Sequence, residues 1–96
     1  MNPEAVVPVV WTIAGSDSGG GAGLQADLRV FDAFDVHGCS AVTAITAQHS
    51  LAVESIYPLP PGQLDAQLAA LASDLPPAAI KTGMLGSVEA LKVVVQ

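Results

Sequence analysis

Apolar positions follow two different rhythms along this chain. Residues 9–14 (Val-Val-Trp-Thr-Ile-Ala) are apolar at nearly every position. That is the pattern of a strand buried on both faces, as in a parallel sheet, and it predicts a strand ending at Gly15. From Gly23 to about Phe34 the period lengthens. Leu24, Leu28 and Phe31 recur at i, i+4 and i+7, and Phe34 extends the stripe, which predicts a helix with one face turned to a core. Gly38 breaks the chain. Residues 39–47 are small and β-branched and predict a second buried strand. Residues 53–59 predict a short extended segment, and Pro60-Pro61-Gly62 a turn. Leu64, Leu68, Leu71 and Leu75 mark a second amphipathic helix, closed by Pro76-Pro77. Residues 78–82 predict a third short strand ending at Gly83. Ser87 is placed to cap a third helix with Glu89 in its first turn, against the β-branched run Val93-Val94-Val95. Pro3 and Pro8 make residues 1–8 a loose start.

Strands alternating with helices predict an α/β layer with a mostly parallel sheet. The length, 96 residues, suits one hydrophobic core. The charged fraction is 12%, half of the usual ~25%. A small domain should carry more surface charge, not less. The expectation is therefore that a partner covers much of the surface, or that this is the first part of a larger α/β domain. The net charge of −6, with Arg29, Lys81 and Lys92 as the fixed cations, argues against a nucleic-acid or anionic-membrane surface. Cys39 is the sole cysteine, which rules out an internal disulfide and the multi-cysteine zinc patterns. No apolar run reaches the ~18 residues of a membrane span, and the start lacks the features of a signal peptide. A reducing, cytoplasmic setting is expected.

Candidate chemistry gathers after the strands. Residues 15–23 (Gly-Ser-Asp-Ser-Gly-Gly-Gly-Ala-Gly) join a strand to a helix, where ligands of open α/β sheets bind and where amides can hold an anion. This is not a P-loop, because Leu24-Gln25 follow the last glycine, and no glycine triplet has the dinucleotide spacing. Five glycines in nine residues exceed what a turn needs, so a ligand role and a plain turn both stand. Asp27 falls on the helix flank with Leu24, Phe31 and Phe34. A carboxylate there needs donors, either as a cap of neighbouring amides or toward a ligand. Gln48 and His49 follow the second strand, where an amide offers a ligand both donor and acceptor unless both residues simply form a loop. Asp17 reads as a turn residue bonding nearby amides, Met84 as core filling, Lys81 as a cation seeking a carboxylate, and Cys39 as a small buried residue.

Three blocks carry a resemblance. They are residues 12–28 (Thr-Ile-Ala-Gly-Ser-Asp-Ser-Gly-Gly-Gly-Ala-Gly-Leu-Gln-Ala-Asp-Leu), residues 38–48 (Gly-Cys-Ser-Ala-Val-Thr-Ala-Ile-Thr-Ala-Gln) and residues 81–85 (Lys-Thr-Gly-Met-Leu). In this order and spacing they resemble the start of the hydroxymethylpyrimidine/phosphomethylpyrimidine kinases of thiamine biosynthesis, over about residues 10–91. The resemblance implies a ribokinase-like three-layer α/β fold. It also implies ATP with Mg2+ as cofactors, and phosphorylation of 4-amino-5-hydroxymethyl-2-methylpyrimidine and then of its monophosphate. It further implies that Asp27 and Gln48 hydrogen-bond the aminopyrimidine edge, that Gly15 approaches the ring through its backbone, and that Met84 packs beside it.

In that family the nucleotide pocket, the anion hole and the catalytic base lie in a C-terminal half, and members run to over twice this length. No catalytic residue and no metal ligand is therefore expected here. Residues 1–96 are expected to be an N-terminal, pyrimidine-binding part, inactive alone, that pairs with the C-terminal part or forms a homo-oligomer. Gly19 stands where members often carry Ser, and His49 where Asn is common. The alternatives are a pyridoxal-type kinase and a non-catalytic module that pairs through an exposed sheet edge.

Overall fold

A computed structural model describes residues 7–85. The loose start around Pro3 and the third helix at Ser87 lie outside the described residues. The elements run β1 (Val9–Asp17), α1 (Gly23–Ala33), β2 (His37–Gln48), β3 (Val53–Pro58), α2 (Pro61–Asp74) and β4 (Ala79–Thr82). They build a four-stranded sheet in the order β3-β2-β1-β4. β1 is parallel to both neighbours, while β3 runs antiparallel to β2.

Side-chain alternation along β1 places the helices. Successive residues of a strand point to opposite faces. Thr12 bonds Asp27 of α1, whereas Ile13 packs with Ala41 against Leu64 of α2. The indole of Trp11 likewise reaches the carbonyl of Leu75 at the end of α2, at 2.8 Å. The two helices therefore cover opposite faces, which gives the expected three layers. Leu64 is almost fully enclosed, so truncating it to Ala would cost about 2–5 kcal/mol. Gln67 of α2 also ties the layers. Its amide accepts the Val42 N–H at 2.8 Å and donates to the Val42 carbonyl at 3.0 Å, continuing the ladder beyond the last β2–β3 pair, Ala44↔Pro58.

Several expectations need correcting. β1 passes through Gly15 to Asp17, because a register shift between Ala14 and Ser16 lets Ser16 and Asp17 keep pairing with Ile45 and Thr46. Pro61 and Gly62 form the first turn of α2 rather than a separate turn. Proline's fixed φ and missing N–H suit a first helical position. Phe34 leaves the apolar stripe. It is the residue after α1, it is 74% exposed, and the chain turns away at Asp35 with φ 56°. β3 is exposed along its whole length, as is β4; these are the outer strands among the described residues. No described helix is long and apolar enough to cross a membrane.

Candidate functional site

The carboxyl ends of β1 and β2 and the turn after β4 surround a cavity of about 240 Å³. Gly15, Asp17, Thr46, Gln48, Lys81 and Met84 line it, along with Gly23 at the start of α1. Three of the four expected ligand residues, Gly15, Gln48 and Met84, thus meet at one place.

Asp17 organises the glycine-rich turn. Its carboxylate accepts the Gly19 N–H at 2.7 Å and the Ala22 N–H at 2.8 Å, and its carbonyl accepts the Gly20 N–H at 3.0 Å. The side chain is 6% exposed. Burial works against its charge, but the amides of Gly19, Ala22 and Gly21 and the Gln48 side chain outweigh it, so its pKa lies below the usual value. The turn reading of Asp17 is therefore met. The turn is also no cradle for a phosphate, because this carboxylate already takes the Gly19 and Ala22 amides. Gln25 of α1 clamps the strand end, accepting the Asp17 N–H at 2.9 Å and donating to Ser16 Oγ at 2.7 Å. Ser18 ties the turn to β2. Its hydroxyl donates to the Gln48 carbonyl at 2.5 Å and accepts the Gln48 N–H at 2.8 Å. The Arg29 guanidinium donates to the Gly20 carbonyl.

The turn closes because Gly23 has no side chain. Its φ is +60°, and a Cβ there would lie 2.5 Å from the Gly15 carbonyl oxygen. At Gly15 itself, a Cβ would run into the Met84 methyl group. Met84 is exposed rather than core filling. The Thr43 hydroxyl fixes its backbone by donating to its carbonyl at 2.6 Å. Thr46 Oγ1 donates to the Ser16 carbonyl at 2.8 Å and lies 3.2 Å from Gln48 Oε1. Gln48 is held at the cavity wall by Ser18, whose hydroxyl bonds its carbonyl and its N–H.

Asp27, the fourth expected ligand residue, stands beside the cavity against Lys81. It is not among the lining residues. Its Oδ2 accepts the Thr12 hydroxyl at 2.6 Å and the Lys81 ammonium at 3.0 Å. Burial disfavours its charge, but the Thr12 hydroxyl and the Lys81 ammonium hold its pKa below the usual carboxylate range. Lys81 has thus found its carboxylate, and it is the one Lys or Arg among the described lining residues. His49 turns outward and pairs with Glu54 at 3.1 Å. Cys39 is buried, and burial pushes its thiol pKa up, as an unreactive core residue requires.

Thr12, Gln25, Ser18, Thr43 and Thr46 had not been singled out. For the three threonines the signal was a hydroxyl inside an otherwise apolar strand run, which reads equally as β-propensity. Among the described residues, no group of three or more His, Cys, Asp or Glu side chains could hold a metal ion.

A family model described as phosphomethylpyrimidine kinase matches residues 17–96. The hydroxymethylpyrimidine/phosphomethylpyrimidine kinase of Synechococcus elongatus is 56% identical over 88 residues, covering 92% of this chain and 34% of that protein. The crystal structure of a phosphomethylpyrimidine kinase from Clostridium difficile superposes with a TM-score of 0.88 at 44% identity, over 92% of this chain and 38% of that one. The pyridoxal kinase of Staphylococcus aureus in complex with pyridoxal gives 0.85 at 42% identity, over 94% of this chain and 34% of that one. The chain spans about a third of the length of the curated relatives it matches.

Proposed function

Because the chain belongs to the phosphomethylpyrimidine kinase family, we propose that the protein carrying it phosphorylates 4-amino-5-hydroxymethyl-2-methylpyrimidine and its monophosphate, and that this chain supplies the pyrimidine pocket. The observation that carries the reading is the cavity at the strand ends, which sets one carboxamide, Gln48, against the thioether of Met84 across the bare backbone of Gly15. An aminopyrimidine edge offers a donor beside an acceptor, and a carboxamide offers the complementary pair. Met84 gives apolar cover to a ring face. The volume, about 240 Å³, lies below the ~300–1,000 Å³ common for ligand pockets and has room for a single ring.

ATP with Mg2+ would supply the phosphoryl group, and transfer depends mainly on positioning and charge neutralisation. The glycine-rich turn does not offer itself to the phosphates, because Asp17 occupies its Gly19 and Ala22 amides. In this reading the chain's own residues bind and orient the pyrimidine, and the nucleotide is held elsewhere. A free thiol at Cys39 agrees with a reducing, cytoplasmic compartment. The exposed outer strand β3 would pair in a homo-oligomer or with further strands of the same protein.

The test is a phosphoryl-transfer assay on the product of the complete gene, with hydroxymethylpyrimidine and pyridoxal offered separately and in competition. Turnover of the pyrimidine, with KM raised about tenfold or more by Gln48→Ala, is the expected result. Turnover of pyridoxal alone would replace this reading with the pyridoxal-type one, which the superposition on the Staphylococcus aureus enzyme keeps in view. A stable assembly that ignores both rings would leave an interaction module.

A further inference from the structure

We infer that the Ser16 hydroxyl is a further contact to the substrate, donating its proton to an acceptor atom there, and that Gln25 is the positioning residue that aims it. The inference rests on the cavity being the pyrimidine site. Ser16 lines that cavity, and its polarity follows from a chain of bonds in which each partner has one choice. The chain starts at the Asp17 N–H, which can only donate. It reaches Gln25 at 2.9 Å, so the carboxamide must turn its oxygen to that amide. The Gln25 NH2 group is left facing Ser16, and it donates to Ser16 Oγ at 2.7 Å. A hydroxyl that accepts a hydrogen bond still carries its own proton. Among the described residues Ser16 Oγ makes no other hydrogen bond, so that proton is left for a ligand atom in the cavity.

The backbone sets this arrangement up. Ser16 resumes pairing with β2 at Ile45, just past the register shift, and its carbonyl accepts the Thr46 hydroxyl at 2.8 Å. Gln25 belongs to the first turn of α1. It reaches the strand end because Gly23, two residues earlier, lies against the Gly15 carbonyl with no side chain between. Both members of the pair are thus held by main-chain contacts that do not involve the ligand, which is the condition for a preformed donor. Gln48 lines the same cavity and offers a donor beside an acceptor. Ser16 adds a hydroxyl whose acceptor side is already taken, so it can only donate. The ligand class is then a heteroaromatic that presents a lone pair, on a ring nitrogen or a hydroxyl oxygen, to the carboxyl end of β1.

Reversing the polarity of the pair tests this, with KM and kcat for hydroxymethylpyrimidine measured on the product of the complete gene. Gln25→Glu keeps the side chain's length, and one oxygen still accepts the Asp17 N–H. Its second oxygen accepts where the amide nitrogen donated, so Ser16 turns its proton to Glu and away from the cavity. At about pH 8, where a Glu is ionised, KM should rise about three- to tenfold, the range for one neutral hydrogen bond, with a smaller effect on kcat. A purely structural Gln25 would leave KM unmoved, because the clamp on Asp17 remains. Ser16→Ala should raise KM by a similar factor, and Ser16→Thr, which keeps the hydroxyl, should recover most of that loss. The double variant Ser16→Ala/Gln25→Glu should match Ser16→Ala within about twofold, because no proton is left to turn. If Ser16→Ala does not fold by circular dichroism, Ser16→Cys, a weak donor, takes its place, with a KM rise expected in the same direction. A KM within about twofold of the unmodified protein for the Ser16 variant or for Gln25→Glu overturns the proposal. So do single effects that multiply in the double, the mark of an added charge acting on its own. Each of these outcomes leaves turnover by the unmodified protein in place. No turnover of the pyrimidine by the unmodified protein would bring down the functional reading itself, and this inference with it.

Discussion

Replacing Gly23 by Ala tests how the glycine-rich turn closes. Gly23 adopts φ +60°, a conformation that costs a residue with a Cβ about 1–2 kcal/mol. That is the smaller part of the penalty. The new Cβ would lie 2.5 Å from the Gly15 carbonyl oxygen and 3.3 Å from the Asp17 amide nitrogen. Both are main-chain atoms of β1, which is pinned to β2 on either side of Gly15, at Ala14 and Ser16, so relief requires moving a central strand. Overpacking of that kind costs about 1–3 kcal/mol. The sum, about 2–5 kcal/mol, is a large share of the ~5–15 kcal/mol by which domains are stable. Two companion variants separate the parts. Gly20→Ala carries the conformational cost alone, since φ is +76° but the nearest atom, Arg29 Nη1, is 3.9 Å from the new Cβ. Gly62→Ala meets nothing within 4 Å in the first turn of α2 and should be neutral or stabilising by up to about 1 kcal/mol. Urea midpoints for the three variants, converted with a common slope, give the comparison. If Gly23→Ala loses no more than Gly20→Ala, the close approach to Gly15 does not constrain the turn and the reasoning is wrong.

Other outcomes follow from the same geometry. Thr43→Val removes the hydroxyl that holds the Met84 carbonyl. It should cost about 1 kcal/mol and, in the product of the complete gene and under the proposed kinase reading, raise KM more than it lowers kcat, and an unchanged KM would mean that Met84 needs no such anchor. The Asp27 pKa is depressed in the folded state, so its contribution to stability is present above the unfolded value and is lost as pH falls through the folded one. Below about pH 4, the ordinary carboxylate range, the unmodified protein should lose stability that Asp27→Asn never had. Plots of urea midpoint against pH should therefore converge on the acid side, and parallel plots would refute the assignment.

The chemistry of the site was legible in unequal measure. β1 and β2 stood out because strands covered on both faces leave long apolar runs, and Gln48 because it follows such a run, whereas Gly15 and Met84 entered as ligand residues only through the family resemblance. Asp27 was recognisable as a carboxylate on an inward flank. That flank shows only that Asp27 needs donors. Which donors answer it depends on β1 and β4 becoming neighbours, and Thr12 and Lys81 are far apart in sequence. The continuation of β1 beyond Gly15 was hidden because a register shift has no compositional mark. Phe34 misled because helical periodicity carries no information about where the chain turns away. The direction of β3 was likewise invisible, since period and propensity are the same for parallel and antiparallel strands.

The sheet order also dictates a history for the molecule. β1 is made first, yet its second neighbour is β4, the last element of the described chain. As the polypeptide leaves the ribosome, β1, α1, β2 and β3 can assemble while one edge of the central strand stays open, a natural target for chaperones or stray strands. Contacts of such long sequence separation form slowly. Lys81 and Met84 arrive with or just after β4, so among the described elements the cavity is the last feature to appear. Trp11, the sole tryptophan, stands at that seam, bonded to a carbonyl 64 residues away. Its fluorescence should change in the slow refolding phase, in step with the recovery of the proposed pyrimidine binding. A binding signal that precedes it would place the cavity earlier in the order of assembly.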